Sequence, residues 1–266
     1  MLDSFNREIS YLRISVTDRC NLRCIYCMPE NGVKLLPHNS ILSFEEIAEV
    51  VKTGVKYGIR KVRLTGGEPL VRRNIVNLVE QLAAISGIED LSMTTNGLLL
   101  NELAADLAKA GLKRINISLD TTDAHQFKTI TRTGDLSTVF KGIEAAKAAG
   151  LTPIKINCVI HENRNEANAL LVKAFCESNG YHIRYIHQMS LSDGTFKTVE
   201  GGEGGNCKIC NRLRLTANGK LKPCLFNDTE YDVRELGPER AFQLAVSNKP
   251  ECGSANHTNH FSNIGG

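Results

Sequence analysis

Between Tyr11 and Gln188 the hydrophobic positions switch repeatedly from alternate residues to a helical spacing and back. Tyr11–Thr17 sets Leu12, Ile14 and Val16 against Arg13 and Ser15, as in a strand with one apolar and one polar face. Further strands are expected at Lys61–Thr65, Leu91–Thr95, Arg114–Leu119, Ile154–Ile160 and Ile183–Gln188. Between them, Ser43-Phe44-Glu45-Glu46 reads as a capping box opening a helix that runs to Tyr57 and stops at Gly58. Other helical stretches are expected at Ile75–Ile85, Glu102–Ala110, Leu136–Ala149 and Glu166–Glu177.

Six strands alternating with helices predict an α/β fold with a parallel sheet, either doubly wound or an incomplete barrel. The polar faces decide between these. Packed parallel strands are apolar on both sides, and a closed barrel fills its interior with branched apolar side chains. Here one face carries Arg13, Ser15, Lys61, Arg63, Thr65, Ser92, Thr94, Asn116, Ser118, Lys155 and Asn157. For one strand, a solvent-facing edge is the simpler reading; the same asymmetry in five strands favours a partial (β/α)6 TIM-like barrel with an open lumen. Four cations in the lining (Arg13, Lys61, Arg63, Lys155) suggest that the ligand is anionic.

The text changes after Met189. Ser192-Asp193-Gly194 is turn chemistry and Gly201-Gly202-Glu203-Gly204-Gly205 a flexible link, so a boundary is expected near residue 190, dividing 1–190 from a smaller unit at 191–266. In that unit Leu213–Thr216 and Leu221–Cys224 flank Ala217-Asn218-Gly219 as a hairpin, and a short helix is expected around Glu239–Val246. From Pro250 onward the tail reads as polar and irregular.

The net charge of +3 over 266 residues gives no case for nucleic acid or a membrane as partner, and no apolar run is long enough to span a bilayer. Nine cysteines without a signal-peptide core indicate reduced thiols, metal and a cytoplasmic protein. Cys20, Cys24 and Cys27 are spaced C-x3-C-x2-C directly after the first strand. Three thiolates leave a four-iron cluster one ligand short, and the open iron can bind a small molecule. Structural zinc, the rival, takes four ligands in paired spacings. A second set, Cys207, Cys210 and Cys224, follows the link, with Arg212 and Arg214 on one face of the adjoining strand; a zinc knuckle is the plainer alternative for it. Cys158 and Cys176 are expected to be core packing, Cys252 a partly exposed free thiol, and His257 and His260 solvated.

The first cysteine set, with Tyr26 before its last member and Thr65-Gly66-Gly67-Glu68-Pro69 ending the second strand, resembles the radical S-adenosylmethionine (SAM) superfamily. With Thr94-Thr95-Asn96-Gly97, Arg212-Leu213-Arg214-Leu215-Thr216 and the final Gly265-Gly266, the resemblance narrows to the molybdenum cofactor biosynthesis protein A family of GTP 3′,8-cyclases. It implies two 4Fe-4S clusters, the second in a small C-terminal auxiliary domain. Tyr26, Gly66, Gly67, Glu68, Ser118 and Met189 would bind SAM. Arg13, Arg63, Thr94, Lys155, Arg212 and Arg214 would hold GTP, with guanine on the open iron of the second cluster. The implied reaction is hydrogen abstraction from ribose C3′ followed by attack on guanine C8, with a reductant protein as electron source; no side chain is required as general acid or base. A homodimer is left open.

Three features depart from that family. Only seventeen residues separate Met189 from Cys207, where the family has several tens more. His187-Gln188 replaces an acidic residue and an aromatic, and Cys252 adds a thiol beside the second set. The alternatives are a two-cluster radical SAM enzyme acting on a peptide or other small molecule, and a non-enzymatic binding module stabilised by two zincs.

Overall fold

In a computed structural model that describes residues 1–265, the strands join one nine-stranded sheet; Gly266 of the terminal glycine pair lies outside the described residues. Chain order gives β1 (Tyr11–Ser15), α1 (Phe44–Lys56), β2 (Lys61–Thr65), α2 (Ile75–Ala83), β3 (Asp90–Thr95), α3 (Leu100–Lys109) and β4 (Arg114–Ser118). Then follow α4 (Ala124–Thr131), α5 (Leu136–Ala148), β5 (Lys155–Ile160), α6 (Ala167–Asn179) and β6 (His182–His187). Strands β1 to β6 are parallel and lie side by side in sequence order. Sequential order has no reversal point of the kind a doubly wound sheet shows, and right-handed crossovers then stack the helices on one face. The sheet is an unclosed, TIM-like partial barrel.

The helix-side face is the apolar one. Ile14, Leu64, Met93, Ile117 and Ile156 are fully buried and share a core with Val51, Leu78, Leu107, Ile143 and Val172 of the helices. Helix α1 starts at the expected capping box: Glu46 N donates to Ser43 Oγ at 3.1 Å, and Ser43 N to the Glu46 carboxylate at 2.6 Å. Cys158 and Cys176 are buried in this core.

Beyond residue 190 the chain extends the same sheet. Strand β7 (Arg212–Leu215) pairs in parallel with β1, and β8 (Lys220–Lys222) and β9 (Tyr231–Asp232) continue antiparallel, forming the expected hairpin. Helices α7 (Val233–Leu236), α8 (Pro238–Ser247) and α9 (Phe261–Ile264) complete the order. The short link lies along the outer edge of β6, where Tyr185 and Glu200 exchange backbone hydrogen bonds of 3.1 and 3.0 Å. A second small core joins Leu191 and Phe196 of the link to Leu225, Phe226 and Ile264. The tail therefore departs from its polar, irregular reading: Asn256, Asn259, Ser262 and Ile264 are buried, and α9 packs against β1. Its polar side chains serve as internal hydrogen-bond partners, as when the Asn256 amide donates to Leu225 O at 2.8 Å. His257 and His260 are exposed, with His257 beside Asp228. Among the described residues, no helix is long and apolar enough to cross a membrane.

Candidate active site

The cysteine loop that follows β1 is held by the ends of three other strands. Gly67 N donates to Thr17 O and Glu68 N to Arg19 O, both at 2.8 Å, laying the end of β2 along the start of the loop. Glycine is required there because a Cβ on Gly67 would stand 2.4 Å from Arg19 O, and one on Gly66 2.7 Å from Thr17 O. At the end of β3, Asn96 donates to the Asn21 side chain at 2.7 Å; beyond β4, Asp120 accepts from Tyr26 Oη at 2.7 Å. Helix α4, which periodicity did not predict, supports the loop from below. Thr131 O and Ile130 O accept from Arg23 N and Ile25 N, and Arg132 donates to Arg23 O and Met28 O.

Cys20, Cys24 and Cys27 line one cavity of about 190 Å³ with Tyr26, Gly66, Gly67, Glu68, Thr94, Ser118 and Met189. Burial, then Asp120 and the neighbouring thiols, pushes Cys24 up to about 12; burial and Cys20 push Cys27 to about 11. Such thiols ionise when a metal centre takes the charge. Among the described residues, no three His, Cys, Asp or Glu side chains close around a single-ion site. The donor set, three thiols from one loop lining one cavity, suits an iron–sulfur cluster with an open iron. Glu68 lines the cavity with its carboxylate already hydrogen-bonded. Its carboxylate accepts from Leu70 N, Thr95 Oγ1 and Asn96 N at 3.0, 2.7 and 2.7 Å, tying β2 to β3. Burial raises its pKa to about 7 against those hydrogen bonds.

A second cavity, of about 480 Å³, adjoins the first; Asn157, Ile186 and Met189 line both. Its wall is a cross-strand row. Register sets Arg214 beside Arg13, Arg13 beside Arg63 and Arg63 beside Ser92, with Tyr11 between Arg212 and Lys61 one step away. The guanidinium groups of Arg63 and Arg212 lie 5.5 and 5.6 Å from the Tyr11 ring. Burial, then the facing Arg214, lowers the pKa of Arg13; burial, then Arg212, brings Arg214 to about 10. Like charges side by side on a sheet are destabilising, so the row is suited to an anion that neutralises it. Arg214 also donates to Gly265 O, fastening the tail to the wall. Cys207, Cys210 and Cys224 line the same cavity. Burial raises Cys210, but Lys249 and Arg212 outweigh it and hold the thiol below its ordinary pKa.

Several buried polar atoms around the two cavities have no partner: Tyr11 Oη, Thr94 Oγ1, Arg114 Nη1, Arg212 Nε and both amide atoms of Asn116. Unpaired buried polar groups of this kind mark the place of a polar ligand. Arg184 also faces the charged cavity and was missed; its alternation with Ile183 and Tyr185 on β6 is the signal that reveals it. Asp90, which pairs with Arg114 across the strands, was missed as well. Thr94 lies on the cysteine-loop cavity, whereas Arg13, Arg63, Lys155, Arg212 and Arg214 line the charged one.

Residues 14–174 match the radical SAM superfamily, and residues 159–251 match Molybdenum Cofactor Synthesis C. The fold agrees: Streptococcus suis SuiB bound to S-adenosylmethionine superposes with a TM-score of 0.66 at 15% identity, over 91% of this chain and 64% of that one. This is a radical SAM enzyme, with an iron–sulfur cluster and SAM as its cofactors. The GTP 3′,8-cyclase of Thermodesulfovibrio yellowstonii is 44% identical over 89% of this chain and 88% of its own. That of Moorella thermoacetica is 44% identical over 94% of both. The chain belongs to the GTP 3′,8-cyclase family of molybdenum cofactor biosynthesis. The two alignments run over 282 and 306 positions, more than the 266 residues here, so those relatives carry residues that this chain lacks.

Proposed function

We propose that this enzyme converts GTP to its 3′,8-cyclised isomer, with SAM in the cysteine-loop cavity and the nucleotide in the charged one. The observation that carries the reading is the in-register row Arg214–Arg13–Arg63, facing a cavity that adjoins the three-thiol loop. Cys20, Cys24 and Cys27 hold one 4Fe-4S cluster and Cys207, Cys210 and Cys224 a second. When bound and reduced, the first cluster with SAM supplies a 5′-deoxyadenosyl radical that removes a hydrogen atom from substrate.

The protein's own part is placement. Tyr26, Gly66, Gly67, Ser118 and Met189 frame SAM, while Glu68 fixes the turn beside it. Arg13, Arg63, Lys155 and Arg212 neutralise the triphosphate, and Thr94, on the cysteine-loop cavity, offers an unpaired hydroxyl to the ribose. A cavity of this volume suits a small-molecule ligand.

The test is anaerobic reconstitution with SAM and a reductant, with and without GTP. A product isomeric with GTP by mass spectrometry, together with GTP-dependent 5′-deoxyadenosine, is expected. Slow deoxyadenosine formation indifferent to GTP, without the isomer, would overturn the assignment and point to another substrate.

A further inference from the structure

A fourth thiol stands beside the C-terminal cysteine set, and the chain around it is fastened to the other three. Cys252 Sγ lies 3.0 Å from Cys207 Sγ. Before it, the buried Lys249 donates from Nζ to Arg212 O at 2.8 Å and to Pro223 O at 2.6 Å. Those carbonyls lie just after Cys210 and just before Cys224. Arg7, buried and paired with Asp3 at 2.6 Å, donates to Cys207 O at 2.7 Å, Glu251 O at 2.8 Å and Pro250 O at 2.6 Å. One guanidinium thus clasps the Cys207 turn to the two residues preceding Cys252. After it, a Cβ on Gly253 would stand 3.2 Å from Cys224 Sγ, and Ser254 N donates to Phe226 O at 2.8 Å. A surface thiol without a role needs no such hold. Cys252 is exposed, as expected, but its sulfur is in contact with a member of the set rather than standing alone.

On the reading that Cys207, Cys210 and Cys224 hold a second cluster, we infer that Cys252 is its fourth thiolate, capping the iron until the nucleotide displaces it. Three cysteines leave one iron of a four-iron cluster open, and a fourth closes it. The exchange moves no electrons: a thiolate–iron bond breaks, a bond from guanine to iron forms, and the released sulfur takes a proton from solvent. Cys252 is the one exposed thiol of the four, so its side chain can turn out to solvent while Arg7 and Lys249 hold the backbone around it.

The test compares the full chain with Cys252→Ala and Cys252→Ser, each reconstituted under thiol reductant with iron and sulfide. Iron is counted before and after mild ferricyanide oxidation, which strips irons lacking a protein ligand. Wild type is expected to lose only the open iron of the first cluster, and C252A one iron from each, so that about twice as much is released. Three-iron EPR signals should rise in parallel, with C252S between the two. GTP should bind C252A up to about tenfold more tightly if the capped form outweighs the open one by that ratio. Equal iron release and equal affinity in wild type and C252A would overturn the capping role and leave the cyclase reading intact. Iron and sulfide for only one cluster in every protein would remove the second cluster, and both readings would fall.

Discussion

Cys20, Cys24 and Cys27 share a single loop, whereas Cys207, Cys210 and Cys224 come from the turn before β7 and the segment after β8, with Cys252 reaching them from the far end of α8. The surroundings differ as much as the assembly. The first cavity contains no lysine or arginine, and its one carboxylate is spent on the ends of β2 and β3. The second is lined by ten lysines and arginines against Asp90 and Glu203. One site is built from backbone fit and thiols, the other from concentrated charge. Under the proposed function this division follows the ligands: SAM with its own positive sulfonium needs no cationic wall, and a triphosphate does.

The comparison breaks most completely at Cys24. Cys24→Ala removes a thiol from a set with no spare donor, so 5′-deoxyadenosine formation should fall to background. The second set shares no residue with that loop, and iron and sulfide should fall only to the level of one cluster. Loss of both clusters in this variant would show that the two sites are not independently built.

Next in size is the buried carboxylate of the first site. Glu68 has its pKa raised from 4.5 to about 7, chiefly by burial. The folded state therefore holds this proton more tightly than the unfolded one, and between those values folding stability falls as pH rises. At about 1.4 kcal/mol per pKa unit, the cost is of order 3 kcal/mol once pH exceeds 7. Urea unfolding of the apoprotein from about pH 5 to pH 8 should show this decline, and Glu68→Gln should flatten it. Equal slopes in the two proteins would mean that Glu68 is solvated, and that the turn beside the cysteines is looser than described.

Much of the first site was legible in the sequence because it is local. The capping box at Ser43, the alternation of β1 and β2, and the C-x3-C-x2-C and Gly-Gly-Glu-Pro motifs each announce themselves within a few residues. The pairing of β7 with β1, which brings Arg214 beside Arg13, joins positions far apart in the chain, and no periodicity encodes it. Helix α4 was missed because five of its eight residues are polar and only Phe127 and Thr131 are buried. The tail misled for a related reason: Asn256 and Asn259 look solvated, yet both are buried, Asn256 donating to Leu225 O and accepting from Asn259 N.

For the charged site the larger effect is expected at Arg63. It is buried, donates to Ser92 Oγ at 3.2 Å and stacks on Tyr11. Losing one partner of a desolvated charge contact costs about 2 kcal/mol or more, so Arg63→Ala should weaken GTP binding roughly thirtyfold or more by calorimetry. SAM cleavage without nucleotide should persist. Removing one member of a row of like charges should also leave the ligand-free protein no less stable, a sign opposite to that of an ordinary buried side chain. A clear loss of thermal stability in ligand-free Arg63→Ala would show that the row is structural.

Lys61 supplies the finest gradation, because it lies two residues before Arg63 on the same face of the same strand, with the same cavity in reach. It differs in being exposed. A solvent-screened charge contributes up to about 1 kcal/mol, so Lys61→Ala should weaken GTP binding by no more than about fivefold. That effect should shrink as salt rises over a few hundred millimolar, whereas the loss from Arg63→Ala should change little, since buried pairs are poorly screened. Burial, not charge count, then sets each cation's weight. If Lys61→Ala matched Arg63→Ala at every salt concentration, the phosphates would have to lie nearer the rim than the row Arg214–Arg13–Arg63, and the nucleotide would need to be turned within the cavity.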